Sequence, residues 1–193
     1  MEFLKSRTDL LSKEGELVLY RGYIAETHIL TKKLDSLNFS QNQITMFGKT
    51  HNVPRLELWY GDRGYKYNNV VLNPTKFPKW LLKLKNEIEE ISKNRFNSVL
   101  INKYRNGSDY VSAHQDNEPE LGENPIIGSF SLGETRKFRL INIENKSKKV
   151  EIMLEDGDLL IMGPSIQNQW KHDLPKTKKF MDQRYNLTFR HIY

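Results

Sequence analysis

The chain has 193 residues and no cysteine, and its 30 lysines and arginines outnumber its 24 aspartates and glutamates, giving a formal net charge of +6. The absence of cysteine excludes disulfides, zinc–thiolate sites and cysteine nucleophiles, and no apolar run is long enough to span a membrane. The length fits a single domain with a substantial core. The positive charge suits a polyanionic partner, although a merely lysine-rich composition would give the same charge. The N-terminal residues lack a secretory signal, so we expect an intracellular protein.

Two segments in the first half of the chain predict helices. Residues 24–37 and 77–95 carry apolar side chains near helical spacing, and Pro78 stands near the start of the second segment. The longer stripe consists of Trp80, Leu81, Leu84, Ile88 and Ile91. We interpret both stripes as core-facing surfaces without a functional role.

Short apolar runs and turn residues predict β-structure elsewhere. Residues 43–74 are predicted to form short strands broken by Gly48, Gly61 and Gly64. After the second helix, strands are predicted in SVLINKYR, IIGSFSLG, RKFRLINI, KVEIMLEDGDLLIMG and QRYNLTFRHIY, with ENKSKK and EDGD as hairpin turns. Many short strands with turn signals are typical of a sandwich or barrel. We therefore expect a helix-buttressed β-roll in roughly the second half.

The stretch DYVSAHQDNEPE ends a strand-like run with a histidine and an aspartate two residues apart. If this segment is extended, the side chains of His114 and Asp116 point the same way. A surface salt bridge would show the same pattern. A second histidine, His172 in NQWKHDLP, also stands at the edge of a strand-rich segment. Two histidines and one carboxylate form the facial triad of non-haem Fe(II) oxygenases, whereas the alternative for His172 is a satisfied structural histidine.

The last predicted strand, RYNLTFR, alternates cleanly. Its two faces carry Arg184, Asn186, Thr188 and Arg190 on one side and Tyr185, Leu187 and Phe189 on the other. Two arginines on an inner face are unfavourable unless each meets an anion, and a dicarboxylic co-substrate would satisfy both. In the same way, Asn102 and Tyr104 share one face of LINKY. The alternative for each pair is an exposed polar face.

With these residues, the chain resembles the AlkB family of Fe(II)/2-oxoglutarate dioxygenases, which repair alkylated nucleobases. The matching motifs are NKY, HQDNE, WKHDLP and RYNLTFR, together with FGKTHNVPR and YGDRGYKY further upstream. They stand in the family's order and spacing from about residue 43 to the C-terminus, and the upstream pair is most similar to the animal double-strand and single-strand repair members. The first forty residues carry no recognised motif.

The resemblance implies a mostly β fold. The catalytic core would be a double-stranded β-helix, or jelly roll, buttressed by N-terminal helices and carrying a β-hairpin nucleotide-recognition lid. We expect one dioxygenase domain over residues 1–193, with the N-terminal helices and lid in 1–95 and the jelly roll in 96–193.

The resemblance also implies the catalytic residues. Fe(II) would be bound by His114, Asp116 and His172, and 2-oxoglutarate and dioxygen would be the co-substrates. 2-Oxoglutarate would be hydrogen-bonded by Asn102 and Tyr104, paired at its distal carboxylate with Arg184 and at the carboxylate nearer the metal with Arg190, and contacted more weakly by Thr188.

The implied nucleic-acid contacts lie mostly upstream. Glu118 would read the exocyclic amine of the damaged base, and Tyr67 and Arg55 would belong to the lid. In FGK, Phe47 would act as a wedge in the base stack, Gly48 would allow close approach of the backbone, and Lys49 would meet phosphate. The alternative for Phe47 is that its side chain folds back under the lid.

One position departs from the family pattern. Where duplex-repairing members carry an aromatic residue that stacks on the flipped base, this chain has Asn69. The alternatives for this stacking role are Trp59, Tyr60, Tyr65 and His114.

The implied reaction is oxidative demethylation of bases such as 1-methyladenine and 3-methylcytosine in DNA. The methyl carbon is hydroxylated and leaves as formaldehyde. We expect a nucleic-acid partner, no membrane, a monomer, and a location in the nucleus or cytoplasm. The alternatives are a methylated RNA or protein substrate, or a basic nucleic-acid-binding module with a degenerate metal site. The lid motifs argue against protein, and the complete triad and both arginines argue against degeneracy.

Overall fold

The computed structural model describes residues 6–11, 16–46, 48–67 and 70–193, without the side chains of residue 46 and residues 65–72. The predicted mostly β fold is confirmed, because two antiparallel sheets enclose a cavity. With strands numbered in chain order, the larger sheet runs β1 (Ser6–Asp9), β2 (Leu17–Arg21), β13 (Leu159–Met162), β10 (Ile127–Gly133), β15 (Arg184–Arg190), β8 (Ser98–Tyr104) and β5 (Leu56–Gly61). The smaller sheet runs β12 (Lys149–Leu154), β11 (Arg136–Asn142), β14 (Trp170–Leu174) and β9 (Val111–His114).

Strand β15 shows why the two faces of the larger sheet differ. All seven of its residues are buried, but Tyr185, Leu187 and Phe189 belong to an apolar core cluster. Arg184 and Arg190, on the opposite face, line the cavity. Strand alternation thus directs one side of β15 to the core and the other to the cavity.

Two helices cover the apolar face of the larger sheet, as the sequence predicted. Helix α1 spans Thr27–Asp35 and helix α2 spans Lys79–Ser92. Leu34 of α1 and Leu81 and Ile88 of α2 are buried in the same cluster as β15. A third, short helix, α3 (Pro164–Gln169), which the sequence analysis did not predict, joins β13 to β14. None of the helices in the described ranges combines the length and apolar character that a membrane crossing requires.

Two small hairpins lie outside the main sheets, in the region predicted to form the lid. They pair β3 (Gln43–Met46) with β4 (Lys49–Asn52) and β6 (Tyr65–Tyr67) with β7 (Val70–Leu72). Gly48 has φ +75° in the first turn, a conformation that favours glycine. Phe47 and Asn69 lie outside the described residues, as do the side chains of Tyr65 and Tyr67.

Strands from both sides of residue 95 share the larger sheet. Strands β1, β2 and β5 precede that position, and β2 pairs with β13 from the far end of the chain. The first forty residues, in which no motif was recognised, therefore supply an edge of the sheet. Leu17 and Leu19 of β2 pack into a second apolar cluster between the sheets.

Candidate metal and co-substrate site

The cavity between the sheets collects all the residues predicted to hold iron and 2-oxoglutarate. They are Asn102, Tyr104, His114, Asp116, His172, Arg184, Thr188 and Arg190. They come from β8 and β15 of the larger sheet, from β9 and β14 of the smaller sheet, and from the segment that follows β9. The roll therefore brings together residues that lie far apart in the chain.

The three predicted metal ligands form a compact group. His114 and His172 are cross-strand partners in β9 and β14, with ring centroids 4.3 Å apart. Ligand atoms of both histidines and Asp116 lie within 4.8 Å of one another. Strand β9 ends at His114, so the strand pleat orients the histidine, whereas Asp116 is positioned by its own hydrogen bonds beyond the strand.

Both histidines are in forms suited to binding a cation. His114 Nδ1 lies 2.8 Å from the Ser112 carbonyl oxygen, which can only accept, so in the neutral ring Nδ1 carries the proton and Nε2 is the nitrogen with the lone pair. His172 is buried, and no residue in the described ranges hydrogen-bonds its Nδ1. Burial, together with the charges of His114 and Arg190, lowers the pKa of His172 to about 3, although the charge of Asp116 acts in the opposite direction. The ring is therefore neutral at physiological pH, as metal ligation requires.

Asp116 is held as a carboxylate by a buried arginine. Arg190 Nη2 lies 3.0 Å from each carboxylate oxygen, and both residues are almost fully buried. Burial alone would raise the pKa of Asp116, but the charges of Arg190, His172 and His114 lower it to about 2. The backbone N–H of Asp116 also donates to Gln167 Oε1 at 3.0 Å. Gln167, on α3, was not found from the sequence, because no pattern in a single chain distinguishes it.

Arg184 is a buried cation to which the described part of the chain supplies no carboxylate partner. Its Nη2 donates to Ser131 Oγ at 2.9 Å, and its guanidinium carbon lies 5.4 Å from the centre of the Tyr104 ring. Its Nε has no hydrogen-bond partner among the described residues. Burial lowers the pKa of Arg184 to about 10. A guanidinium in this situation is a binding site for an anion such as a carboxylate.

The other residues on the cavity side of β15 are polar and hydrogen-bonded to one another or to neighbouring strands. Thr188 Oγ1 donates to Asn186 Oδ1 at 2.9 Å, and Asn186 Nδ2 donates to Ser129 Oγ at 2.8 Å. Asn186 and Asn102 are direct cross-strand partners in β15 and β8. Asn186, which was placed on this face by alternation but given no role, thus orients the hydroxyl of Thr188.

The residues predicted to contact nucleic acid are more dispersed. Arg55 lines the cavity but is buried, with its Nε bonded to Asn102 Oδ1 at 2.8 Å. Gly48 and Lys49 are exposed at the β3–β4 turn, outside the cavity lining. Glu118 is half-buried beside the 3-10 turn at Pro119–Leu121, and its buried Oε2 has no hydrogen-bond partner among the described residues.

Two of the candidate stacking residues are buried away from the cavity. Trp59 packs with Leu100, Leu121 and Ile192, and Tyr60 belongs to the cluster beneath α2. Neither lines the cavity, whereas His114 does. Of the candidates with described side chains, only His114 lines the cavity, where it is itself one of the predicted metal ligands.

The geometry agrees with what comparison with known proteins shows. A family model described as the 2OG-Fe(II) oxygenase superfamily matches residues 16–190. This chain belongs to that superfamily. Membership implies Fe(II) as the cofactor and 2-oxoglutarate and dioxygen as co-substrates. The residues present fit them, because the neutral His172, the imidazole of His114 and the ionised Asp116 converge beside the buried cation Arg184.

Two curated relatives confirm the resemblance to the AlkB family. Alpha-ketoglutarate-dependent dioxygenase alkB homolog 3 of Bos taurus is 42% identical over 155 residues, which cover 75% of this chain and 54% of the relative. DNA oxidative demethylase ALKBH2 of Homo sapiens is 33% identical over 172 residues, which cover 84% of this chain and 66% of the relative. The chain therefore spans about half the length of the first relative and about two thirds of the second.

A solved structure shows the same fold. The chain described as "The structure of OsALKBH1" superposes with a TM-score of 0.68 at 20% identity, covering 95% of this chain and 100% of that chain. A 2OG-Fe(II) oxygenase family oxidoreductase from Burkholderia pseudomallei superposes with a TM-score of 0.61 at 12% identity, covering 92% of this chain and 86% of that one. The jelly-roll core expected from the sequence agrees with both.

Proposed function

We propose that this protein oxidatively demethylates N-alkylated bases such as 1-methyladenine and 3-methylcytosine in DNA, using Fe(II), 2-oxoglutarate and dioxygen. The main support for this proposal is that His114, Asp116, His172 and the buried cation Arg184 all line one cavity. The names of two relatives, a dioxygenase alkB homolog and a DNA oxidative demethylase, support the substrate class.

In this proposal, His114, Asp116 and His172 would hold the iron, a ligand set that in non-haem Fe(II) oxygenases leaves room for the co-substrates. The bound iron, with 2-oxoglutarate and dioxygen, supplies the oxidising chemistry that hydroxylates the N-methyl carbon, after which formaldehyde leaves. Arg190 keeps Asp116 ionised and fixes both of its oxygens, and it would also pair with the carboxylate nearer the metal. These contacts hold the reactants in register, which is the main contribution of the protein to the rate.

The co-substrate would lie along the polar face of the larger sheet. Arg184 would bind the distal carboxylate, which takes no part in bond making. Asn102 and Tyr104 would donate hydrogen bonds, and Thr188 would make a lesser contact. Filling the cavity in this way would give the Arg184 cation the anion that the described chain does not provide.

The damaged base must leave the stack before it reaches the cavity, at a cost of roughly a few kcal/mol. Both proposed lesions already block base pairing, which lowers that cost. Their positive charge suits Glu118, and the buried Glu118 Oε2, which no described residue hydrogen-bonds, is an acceptor that an exocyclic amine could satisfy.

The upstream hairpins would hold the nucleic acid. Phe47 would fill the gap left by the flipped base in a duplex, with Gly48 allowing close approach and Lys49 meeting phosphate. Tyr67 would contact the nucleotide, whereas Arg55, which the resemblance places in the lid, is buried and bonded to Asn102. The metal ligands and the anion site all lie in one chain, so the proposed monomer would have a complete site.

The test is mass spectrometry of methylated oligonucleotides incubated with the protein, Fe(II), 2-oxoglutarate and ascorbate. Single-stranded DNA, duplex DNA and single-stranded RNA are compared, each carrying 1-methyladenine or 3-methylcytosine. We expect loss of the methyl group from DNA, matched by succinate formation, and no loss without 2-oxoglutarate. Demethylation confined to RNA would favour the RNA alternative, and no turnover on any substrate would refute the proposal.

A further inference from the structure

The side-chain amide of Asn102 has one orientation that satisfies its buried neighbour. Arg55 Nε donates a hydrogen bond of 2.8 Å to Asn102 Oδ1. A guanidinium has only donors, and a carboxamide accepts only through its oxygen, so the oxygen must face Arg55. The Nδ2 group is then the part of the amide left to donate, and Asn102 lines the cavity. The keto and carboxylate oxygens of 2-oxoglutarate accept hydrogen bonds, so this orientation suits that ligand.

Glu57 holds the arginine that sets this orientation. Arg55 and Glu57 are 5% and 4% exposed, and Arg55 Nη2 lies 2.7 Å from Glu57 Oε1. Glu57 is also the direct cross-strand partner of Asn102 between β5 and β8. In a buried ion pair, loss of one partner leaves the other charge uncompensated. The Glu57 carboxylate therefore keeps Arg55 in the position from which its Nε reaches Asn102.

The same carboxylate is tied to the segment that enters the β3–β4 hairpin. Asn42 Nδ2 donates to Glu57 Oε2 at 2.7 Å, and the backbones of Ser40 and Glu57 form an antiparallel bridge. The Asn42 carbonyl in turn accepts from the N–H of Val53, at the exit of the hairpin. One buried ion pair thus joins the root of the hairpin to an amide that faces the co-substrate.

We infer that Arg55 and Glu57 are positioning residues for 2-oxoglutarate, because together they fix the Asn102 amide with its NH2 group toward the co-substrate. This inference rests on the proposed function. It gives Arg55 a role on the co-substrate side of the cavity, beyond the lid contact that the resemblance implies. Glu57 carries no motif and is assigned here from its contacts alone.

Two conservative substitutions in the full chain test whether Arg55 and Glu57 position 2-oxoglutarate. Glu57→Gln keeps the size of the side chain and an oxygen that can accept from Asn42, but it removes the charge that holds Arg55. Arg55→Lys keeps a cation for Glu57, but its single nitrogen cannot replace both the Nε and the Nη2 contacts. The control is Glu151→Gln, which breaks an exposed ion pair with Lys137 (2.7 Å) on the smaller sheet.

Binding of 2-oxoglutarate to the Mn(II)-loaded protein is measured by calorimetry, and the KM for a methylated oligonucleotide is measured separately with Fe(II). We expect each test variant to raise the Kd of 2-oxoglutarate about five- to tenfold, the effect of losing one well-placed hydrogen bond. The oligonucleotide KM and the kcat at saturating 2-oxoglutarate should stay close to the wild-type values. The control should match the wild type throughout.

An unchanged Kd for 2-oxoglutarate in either folded variant would overturn the inference. So would an oligonucleotide KM that rises as much as the Kd, because Arg55 would then serve the nucleic acid or the fold in general. If Glu57→Gln does not fold, Arg55→Lys decides the question, since it retains the buried ion pair. A wild-type protein that binds no 2-oxoglutarate would instead refute the proposed function.

Discussion

Replacing Arg184 with methionine should abolish 2-oxoglutarate binding without destabilising the ligand-free protein. Arg184 is 2% exposed, and no carboxylate in the described part of the chain pairs with it. A buried cation without an anion lowers the free energy of unfolding, so replacing it with an uncharged side chain removes that cost. Replacing an arginine whose hydrogen bonds hold the fold together would instead destabilise the protein.

The magnitude follows from the burial of Arg184. Burial lowers its pKa from 12.5 to about 10, a difference that corresponds to about 3 kcal/mol disfavouring the charged form in the folded state. Since arginine stays charged at neutral pH whether folded or unfolded, that whole penalty applies there. This penalty is already net of the attraction between Arg184 and the Tyr104 side chain, so Arg184→Met additionally loses only the Ser131 hydrogen bond, about 1 kcal/mol. The free energy of unfolding should therefore rise by about 2 kcal/mol.

Arg136 provides a matched control, because it is also 2% exposed. It donates to the backbone carbonyls of Asn106, Asp109 and Pro175 at 3.1, 3.0 and 2.9 Å. Burial also lowers the pKa of Arg136, but Arg136→Met would leave three carbonyl acceptors without their donor, which should cost about 3 kcal/mol or more in all. For a chain of this size, that loss lowers the Tm by roughly 6 to 12 °C.

Thermal unfolding of the Mn(II)-loaded proteins, with and without 2-oxoglutarate, measures both effects. At a 2-oxoglutarate concentration of about 100 times its Kd, the wild type should gain about 2.7 kcal/mol of stability, and Arg184→Met should gain none. Arg184→Lys should fold and bind, but with a sharply raised Kd, because lysine cannot form paired hydrogen bonds to a carboxylate. The reasoning is refuted if Arg184→Met lowers the ligand-free Tm as far as Arg136→Met does, or if Arg184→Met keeps the shift caused by 2-oxoglutarate.

Three further predictions concern turnover. His114→Ala and His172→Ala should each abolish demethylation, because the three protein ligands leave no spare; near wild-type activity with ordinary iron affinity in either variant would show that the ligand set is wrong. Glu118→Ala should change the ratio of methyladenine to methylcytosine repair, measured on paired oligonucleotides, whereas an equal loss on both would mark a scaffold residue. Phe47→Ala should reduce repair of duplex DNA while sparing single strands, where no wedge is needed; an unchanged duplex-to-single-strand ratio would rule out the wedge.

Local patterns in the chain were enough to predict most strands, both long helices and the chemistry of the cavity face. Side-chain alternation is a local property of an extended backbone, so the sequence RYNLTFR alone places Arg184 and Arg190 on one face. The spacing of His114 and Asp116 fitted either a metal site or a salt bridge, and the ordered motifs indicated the family and with it the metal site. The strands β1 and β2 and the short helix α3 were missed, because none of them carries a motif and the place of β2 in the sheet is fixed by its pairing with β13, far away in the chain.

Only the tertiary structure decided which distant residues meet. The bond from Arg190 to Asp116 joins residues 74 positions apart, and that from Gln167 to Asp116 joins residues 51 apart. Arg55, predicted from its motif to belong to the lid, is buried and directed at Asn102, 47 positions away. Residue type and spacing indicate what each side chain is able to bind, whereas sheet register and burial determine which partner it meets in the folded protein. The sequence therefore determined the chemistry available to this protein, and the packing of two sheets determined how Asp116, Arg190 and Asn102 are held.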